Sequence, residues 1–443
     1  MSISHSRSAD ETGPKNGLKA VDKAVLMAVA VAALGYFVDI YDLLLFSIVR
    51  VNSLKGLGVP ESELLDTGVL LINIQMAGLL LGGVLWGILG DRKGRLSVLF
   101  GSIFLYSAAN VANGFVQNVE QYAALRFIAG IGLAGELGAG ITLVSEILPK
   151  EIRGYGTAFV AAVGILGAVF GGLVGDWFDW RTAYMIGGGM GFLILLLRVG
   201  VRESGLFNKV REEREVSRGN FFSLFTRKAT FAKYVAVILI GVPIWYVVGI
   251  LVTLTPEFGK AFGMTDLPTA GRAVMFTYIG LAVGDFASGL LCQWAKSRKK
   301  VIFGYIVLTA IAVGLHLTFS RASTFAYYSF CVLMGFGGGY WAMFVTVAAE
   351  QFGTNIRSTV TTSAPNFVRA AVIPLTILFQ ATLPALGVVG SGIATGVLSF
   401  VVALLALARL EETFHKDLDY LEDHALGTET ILPESGTARA AGT

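Results

Sequence analysis

Long apolar runs, each ended by a short polar or turn-forming cluster, alternate along almost the whole chain. A membrane-spanning helix needs about 20 mostly apolar residues, and twelve runs have roughly that length. The pattern therefore predicts twelve transmembrane helices. Their approximate bounds are 24–49, 67–90, 96–117, 122–147, 155–175, 181–200, 231–255, 270–293, 301–319, 324–350, 358–382 and 386–408.

Polar segments outside these runs divide the chain. Residues 1–23 lack the short apolar core of a signal peptide, so we expect a cytoplasmic N-terminal segment that is retained. Residues 201–230 are charged and predict a cytoplasmic linker between a six-helix bundle at 24–200 and a second at 231–408. Residues 409–443 predict a cytoplasmic tail. Most of the 34 Lys and Arg residues then lie on the cytoplasmic side, as the positive-inside rule expects.

Composition excludes an ordinary cytosolic enzyme. Charged residues make up 15% of the chain and apolar residues 54%, whereas soluble domains carry about 25% charged residues. A net charge of +3 is too small to favour a nucleic-acid partner. The two cysteines have no metal-ligand spacing, and no phosphate-binding Gly loop or nucleophile–base pair occurs. We expect no cofactor and no metal, with an ion gradient as the energy source.

Two short signatures recur in the same register in both halves. Glu146 and Arg153 stand in a Glu-x5-Ile-Arg pattern at the end of the fourth run, and Glu350 and Arg357 repeat it 204 residues later. The loop GILGDRKGR after the second run has a degenerate copy after the eighth. Both recurrences indicate duplicated six-helix halves. Transporters built this way place the substrate site between the halves, near the bilayer midplane.

These motifs give the chain a resemblance to a known family. Gly87-Ile-Leu-Gly-Asp91-Arg-Lys-Gly-Arg95 and Glu146…Arg153-Gly154 match loop signatures of the major facilitator superfamily. The resemblance implies an all-α integral membrane fold with twelve helices in two six-helix halves and both termini in the cytoplasm. In the second loop copy the Asp and the Gly are lost, at Gln293 and Lys296. The resemblance also implies a cytoplasmic conformational latch made of Asp91, Arg92, Gly94, Arg95, Glu146, Arg153, Glu350 and Arg357.

A finer resemblance lies in the first and fourth runs. Asp39-Ile-Tyr41-Asp42 is similar to the acidic-x-Tyr-Asp signature of the metabolite:proton symporters. Gly135-Glu136-Leu-Gly138 is similar to their Gly-Glu-x-Gly segment, and related organic ion transporters share the general pattern. The resemblance implies proton-coupled movement of a small organic ion.

Ionisable side chains inside apolar runs are functional candidates, because each is costly in hydrocarbon unless it faces a polar cavity or a partner. Asp39 and Asp42 share one helix face and should not both stay ionised, so one can hold a proton near neutral pH. Glu136 lies about midway along the fourth run. We predict that these three acids couple transport to protons. The alternative is a purely structural pairing of Arg126 with one of the aspartates or with Glu136.

Arg369 is a cation in the middle of the eleventh run, too far from either end to reach the interface. Its guanidinium suits a carboxylate or phosphate. It is either an anchor for a substrate anion or a charge partner for Asp39 or Glu136, and both hold if substrate and carboxylate compete for it. In the organic-anion branch of the resembling families, a basic residue in this span is associated with anionic substrates. Cavity-wall residues, with helix packing as the alternative, are predicted to be Tyr41, Trp245, Tyr246, Tyr340 and Asn366.

The leading hypothesis is a secondary active transporter that moves a small organic acid together with protons by alternating access. We expect a monomer, surrounded by lipid, in a bacterial inner membrane, with no enzymatic activity. The alternatives are uptake of an organic cation or zwitterion, and a proton-coupled exporter. A non-transporting receptor is least favoured, since the Asp91 loop and the intramembrane charges are retained.

Overall fold

The computed structural model describes residues 23–93, 95–136, 140, 144, 147–148, 150–203, 221, 223–414, 420–421 and 430–431. The side chains of residues 90–97 and 151–155, among others, lie outside that description. The described chain is almost entirely helical. Its α-helices are α1 Lys23–Gly56, α2 Leu64–Lys93, α3 Arg95–Asn113, α4 Val119–Leu133, α5 Lys150–Trp177, α6 Trp180–Glu203, α7 Ser223–Thr226, α8 Lys228–Tyr246, α9 Thr255–Ala261, α10 Ala270–Ala295, α11 Arg298–Phe319, α12 Thr324–Gly338, α13 Trp341–Glu350, α14 Thr354–Ala370 and α15 Val372–Arg409.

Short elements complete the fold. A π-helix at Val247–Val252 continues α8, and 3₁₀ turns occupy Glu61–Glu63 and Ser320–Ala322. Two antiparallel two-residue strands, β1 Tyr420–Leu421 and β2 Thr430–Ile431, lie after α15. Side-chain caps fix the starts of three spans in the second half, because a Ser or Thr oxygen satisfies a backbone N–H that has no partner within the helix. The caps are Thr269 on Arg272 at 3.4 Å, Ser297 on Lys300 at 3.2 Å and Ser323 on Ala326 at 3.1 Å.

The predicted spans fall on helices throughout the described residues. Within that part of the chain, nine stretches are long and apolar enough to cross a membrane, and α3 contributes a shorter apolar helix. The fourth predicted span continues past α4 into residues outside the description. The last stretch, Thr359–Arg409, holds two predicted spans. Gly387 separates them with φ 64 and ψ −179, a left-handed backbone that glycine adopts without steric cost.

Polar and apolar side chains are distributed as a membrane requires. Large apolar side chains are exposed on the outside, including Phe286 at 71%, Trp294 at 81% and Phe325 at 83%. Charged side chains such as Asp39 and Arg369 lie buried between helices instead. The apolar exterior matches hydrocarbon, while the buried charges are the costly groups that membrane proteins retain for function.

The order of helix packing is similar in the two halves. In the first half α1 packs on α5, α2 on α4 and α3 on α6. In the second half α8 packs on α14 and α15, α10 on α12, and α11 on α15. The halves meet where α5 packs on α10 and where α2 packs on α14 and α15. Side chains on α1, α2, α5, α10 and α14 are therefore able to bond across the interface.

The fourth span and its counterpart break at corresponding places. The helix α4 ends in a turn immediately before Glu136, and a break at Gly339 and Tyr340 separates α12 from α13. The 204-residue offset of the repeat places Tyr340 opposite Glu136. Broken helices at membrane depth occur where the backbone is buried in protein or lines a cavity. Both residues thus mark discontinuities at equivalent depth.

Polar contacts join the halves at one end of the interface. Arg50, at the end of α1 and 0% exposed, places Nη2 at 2.7 Å from both carboxylate oxygens of Glu257 in α9. Behind this pair, Thr253 donates a hydrogen bond to Ser47 at 3.1 Å. We call this set of contacts the outer closure, after the side of the membrane on which the predicted topology places it. It also includes two ion pairs, Lys260–Glu61 at 2.6 Å and Arg272–Asp176 at 2.8 Å. Two hydrogen bonds complete it, from Thr376 to Asn73 at 2.8 Å and from Gln380 to Asp66 at 3.0 Å.

We expect Glu257→Gln to open the outer closure. It leaves the buried Arg50 guanidinium without its counter-charge, and breaking such a pair costs about 2–5 kcal/mol. The probe is Ile48→Cys, because Ile48 lies two residues before Arg50 in α1 and packs between Gly271 of α10 and Gly171 of α5 at the interface of the halves. Labelling of the introduced thiol by a membrane-impermeant maleimide should then rise at least ~10-fold, since 1.4 kcal/mol is tenfold in an equilibrium.

The matched control is Lys260→Gln. The Lys260–Glu61 pair is 54% and 66% exposed, and exposed pairs contribute little. Equal labelling of the Glu257→Gln and Lys260→Gln proteins would show that the buried pair does not hold this end shut.

Candidate functional site

Asp39 on α1 and Arg369 on α14 form an ion pair across the two halves. Nη2 of Arg369 lies 3.5 Å from Oδ2 of Asp39, and the side chains are 1% and 0% exposed. Arg369 stands in the last turn of α14, next to the one-residue break at Ala371 after which α15 continues the same apolar stretch. Within the described part of the chain, neither Asp39 oxygen accepts a hydrogen bond, and Nε and Nη1 of Arg369 donate none. The pair therefore keeps donors available for another anion.

Aromatic side chains lie near this ion pair. Tyr36, about one turn before Asp39, and Tyr278 on α10 are both within electrostatic range of the two charges. Trp341, at the start of α13, lies beside Tyr36 and packs edge-on against Trp245 of α8 with ring centroids 6.4 Å apart. Among the described residues, the Trp245 Nε1–H is buried without an acceptor. Tyr36 and Tyr278 thus lie near the ion pair, and Trp341 and Trp245 extend this group of rings.

Asp42 and Arg126 lie near each other without bonding. Asp42 is fully buried, and no hydrogen bond to its carboxylate is found in the described residues. Arg126 on α4 donates from Nη1 to the Tyr184 hydroxyl at 3.2 Å. Its Cζ lies 5.5 Å from the ring centroids of both Phe46 and Tyr184. Arg126 is therefore bound to aromatic groups although a buried carboxylate is close by.

Glu136 pairs with a cation that the sequence did not single out. Arg198 of α6 donates to both carboxylate oxygens of Glu136, with Nη1···Oε2 at 3.0 Å. Arg198 also donates to the backbone oxygen of Leu99 at 3.2 Å. The alternative prediction, that Glu136 pairs with Arg126, is wrong, because Glu136 pairs with Arg198 instead. Arg198 escaped notice because it stands near the end of the sixth run, where a long cation usually reaches the interface.

Gly35 brings this second pair close to α1. A methyl group at Gly35 would overlap Oε1 of Glu136 and Nη2 of Arg198. Asp39 follows four residues later on the same helix face. The Glu136–Arg198 pair therefore lies about one helical turn from the Asp39–Arg369 pair, and glycine is what permits that approach.

The remaining predicted wall residues differ in their contacts. Asn366 on α14 donates across the interface to the backbone oxygen of Ala134 at 3.0 Å, and its Oδ1 is among the buried atoms without a partner in the described chain. The three tyrosines donate to backbone oxygens within their own halves, so their hydroxyls are used in helix packing and their role as substrate contacts stays a prediction. These bonds are Tyr41 to Ala183 at 2.8 Å, Tyr246 to Gly392 at 2.7 Å and Tyr340 to Ile240 at 2.9 Å.

Two of the predicted latch residues bind helix ends of the second half. Oε1 of Glu350 lies 3.1 Å from Nη2 of Arg298, and Oε2 accepts a hydrogen bond from Thr413 at 2.7 Å. Arg357 donates from Nε to the backbone oxygen of Ala349 at 2.9 Å. The other predicted latch residues lie outside the described part of the chain, as whole residues or as side chains, and their role stays a prediction. They are Asp91, Arg92, Gly94, Arg95, Glu146 and Arg153.

The degenerate loop copy has a left-handed residue, Lys296, at the position where the first copy has a glycine. Lys296 ends α10 with φ 48 and ψ 38, a conformation that costs a side-chain-bearing residue about 1–2 kcal/mol. Glu412, after α15, fixes the next helix by accepting hydrogen bonds from the Ser297 hydroxyl and from the Arg298 N–H at 2.8 Å. Partial burial raises the pKa of Glu412, but these bonds outweigh it and lower the pKa below its usual value. The Glu412 carboxylate is therefore ionised at neutral pH.

Comparison with known proteins adds independent information. The profile of the Major Facilitator Superfamily matches residues 25–376. A gentisate transporter of Corynebacterium glutamicum is 25% identical over 87% of this chain and 88% of its own. The cis,cis-muconate transport protein of Acinetobacter baylyi is 26% identical over 80% of this chain and 87% of its own.

A solved structure shares the fold. The D-xylose–proton symporter superposes with a TM-score of 0.65 at 17% identity, covering 89% of this chain and 100% of that one. A partially occluded inward-open form of the xylose transporter from E. coli gives a TM-score of 0.66 over 90% of this chain and 100% of that one. The all-helical membrane fold expected from the sequence is confirmed.

We expect Arg198→Gln to destabilise the protein strongly. It leaves the Glu136 carboxylate buried without a counter-charge, which typically costs about 3–5 kcal/mol. The double variant Glu136→Gln/Arg198→Gln should recover most of that loss, because it removes both charges. Thermal unfolding of the detergent-purified variants measures the cycle.

Arg272→Gln is the control, because its pair with Asp176 is half-exposed on the outside. If the double variant unfolds at the temperature expected from adding the two single losses, Glu136 and Arg198 do not stabilise each other as a pair.

Proposed function

This chain belongs to the Major Facilitator Superfamily, and we propose that it is a proton-coupled symporter for small aromatic and related unsaturated carboxylates. As a member of that family with bacterial transporters as relatives, it is a multi-pass transporter of the inner membrane and not an enzyme. We assign residues 24–200 and 231–408 to two bundles that move against each other, with both termini in the cytoplasm. The outer closure then lies at the extracellular end.

The observation that carries this proposal is the ion pair between Asp39 and Arg369. It is buried, it joins the two halves, and it has unused donors on the guanidinium. A guanidinium binds carboxylates in fork geometry. A substrate carboxylate that takes the place of Asp39 on Arg369 thus enters at the interface that alternating access opens and closes.

Charge balance explains the coupling. The empty site holds one cation and one anion and is neutral. When a substrate carboxylate takes Arg369, an ionised Asp39 would be left buried without a counter-charge, which is strongly unfavourable. Asp39 must then bind a proton, so the loaded site is again neutral. One proton per carboxylate follows, and the site can cross between its two orientations empty or fully loaded.

The aromatic surroundings favour a flat substrate. Tyr36 and Tyr278 lie near the ion pair, with Trp341 beside Tyr36 and Trp245 beside Trp341. Stacked or edge-on rings add binding free energy beyond area burial. The free Trp245 Nε1–H and the free Asn366 Oδ1 suit a ring hydroxyl or a second polar group. Relatives named for gentisate and 4-hydroxybenzoate transport agree with this class.

We expect different transport defects when each member of the ion pair is substituted. In proteoliposomes with an imposed pH gradient, the wild type should accumulate labelled gentisate or 4-hydroxybenzoate. Arg369→Ala should reduce both uptake and exchange by roughly 30-fold or more, as removing a buried charge partner costs about 2–5 kcal/mol. Asp39→Asn should lose accumulation yet keep substrate exchange, because Asn mimics the permanently protonated acid.

Asp285→Asn is the matched control. Asp285 accepts the Ala342 N–H at 3.2 Å at the first turn of α13, so its carboxylate is used by a helix terminus. Proton-driven accumulation by Asp39→Asn would refute the coupling role of Asp39. Proton-driven uptake of an organic cation that survives Arg369→Ala would favour the cation carrier instead.

A further inference from the structure

Four hydrogen bonds link Arg126 to the outer closure. Arg126 Nη1 lies 3.2 Å from the Tyr184 hydroxyl, which lies 2.6 Å from the Tyr122 hydroxyl. Tyr122 donates to Ser53 at 3.3 Å, and Ser53 donates to the backbone oxygen of Arg50 at 3.0 Å. All five residues are fully buried. Arg50 is the residue whose side chain binds Glu257 of the other half.

The proton positions in this chain are fixed by chemistry. A guanidinium only donates, so the Tyr184 oxygen accepts from Arg126. Since Tyr122 gives its one proton to Ser53, the Tyr184 proton goes to Tyr122. Each hydroxyl thus donates once and accepts once, and the direction runs from Arg126 to Arg50. Loss of one link leaves a buried donor or acceptor unpaired, so buried chains of this kind form or break as units.

Arg126 has a second possible partner within a short distance. Phe46, under its guanidinium, lies four residues and hence one turn after Asp42 on α1. Nε and Nη2 of Arg126 and both oxygens of Asp42 have no hydrogen-bond partner in the described chain. A shift of about one turn would take Arg126 from its aromatic contacts to the carboxylate.

The charged and titratable groups near Asp42 come from α1, α3, α4 and α6. The titratable or charged neighbours are Asp39 and Tyr41 on α1, Tyr106 on α3, Arg126 on α4 and Tyr184 on α6. Among them Arg126 is the cation. The Asn110 amide on α3 and the backbone at Gly187 on α6 also lie beside Asp42. The position of Arg126 therefore decides whether an ionised Asp42 has a counter-charge.

We propose that Tyr184 and Tyr122 are positioning residues that hold Arg126 off Asp42 when Asp42 is protonated, and so couple protonation of Asp42 to the outer closure. When Asp42 is ionised, Arg126 binds it, leaves Tyr184 and breaks the chain to Arg50. When Asp42 takes a proton, Arg126 returns to Tyr184, the chain re-forms, and the closed end is favoured. This inference rests on the proposed proton-coupled alternating access and adds to it a link between the proton and the gate.

Coupling between two sites is reciprocal, so protonation of Asp42 should change how accessible the outer closure is to a labelling reagent. The Ile48→Cys protein serves as the parent and is labelled from outside in liposomes, over a pH series and without substrate. Because the thiolate is the reactive form, each labelling rate is divided by the rate for the same thiol in the unfolded protein at that pH. In the parent, labelling should slow at least ~5-fold from mildly alkaline to acidic pH. Asp42→Asn should label slowly at every pH. In Tyr184→Phe and in Tyr122→Phe, the labelling rate should no longer depend on pH. Adding Asp42→Asn to Tyr184→Phe should not change the labelling rate further.

Tyr234→Phe is the matched control, since Tyr234 is an equally buried tyrosine whose hydroxyl donates to Ser363 at 2.7 Å in the other half. It should label like the parent. Labelling without pH dependence in the parent, unchanged pH dependence in Tyr184→Phe, or an equal loss in Tyr234→Phe would each overturn the proposal. No substrate is used, so a protein that passes this test but accumulates no carboxylate fails only the proposed function. If the labelling test fails but the protein accumulates a carboxylate with protons, the hydrogen-bond chain has no coupling role. The proposed symport through Asp39 and Arg369 is then unaffected.

Discussion

The structure depends on the cost of holding ionised side chains in an apolar interior. A charge at membrane depth survives only with a partner, and this chain supplies its buried acids with cations on other helices. Arg369 binds Asp39 across the halves, while Arg198 binds Glu136 inside the first half. Each cation neutralises its acid, so an acid that loses its cation to another anion must bind a proton. That constraint couples the packing of these helices to protonation.

The two halves are similar in packing order and unequal in chemistry. The acids Asp39, Asp42 and Glu136 stand in the first half, and the second contributes Arg369 and most of the surrounding rings. Corresponding helix breaks occur at Glu136 and Tyr340, so the duplicated scaffold has kept its discontinuity while one copy kept an acid and the other a phenol. A site shared between halves in this way is assembled and disassembled by their relative motion.

Much of the fold was predictable, because the length of an apolar run is written directly in the sequence. The spans fell on helices, and the boundary predicted between 382 and 386 lies close to the left-handed Gly387. Asp39 and Arg369 were found because charges stand out against apolar neighbours. Their pairing was one of two interpretations of Arg369, since sequence gives no distance between spans one and eleven.

What sequence reasoning missed were residues whose role exists only in three dimensions. Arg198 and Arg50 stand near span ends, where cations are expected, and only the folded chain brings them to Glu136 and Glu257. Tyr122 and Tyr184 look like ordinary apolar-run tyrosines, and their contact joins helices 62 residues apart in sequence. No periodicity or motif marks such pairs.

The central claim is that a substrate carboxylate displaces Asp39 from Arg369 and that Asp39 then takes a proton. Calorimetric titration of gentisate into the purified protein, in two buffers of different ionisation enthalpy, measures proton uptake on binding directly. The account predicts uptake approaching one proton per gentisate in the wild type and none in Asp39→Asn. Binding of gentisate by the wild type with no proton uptake, at a pH where free Asp39 is ionised, would contradict it.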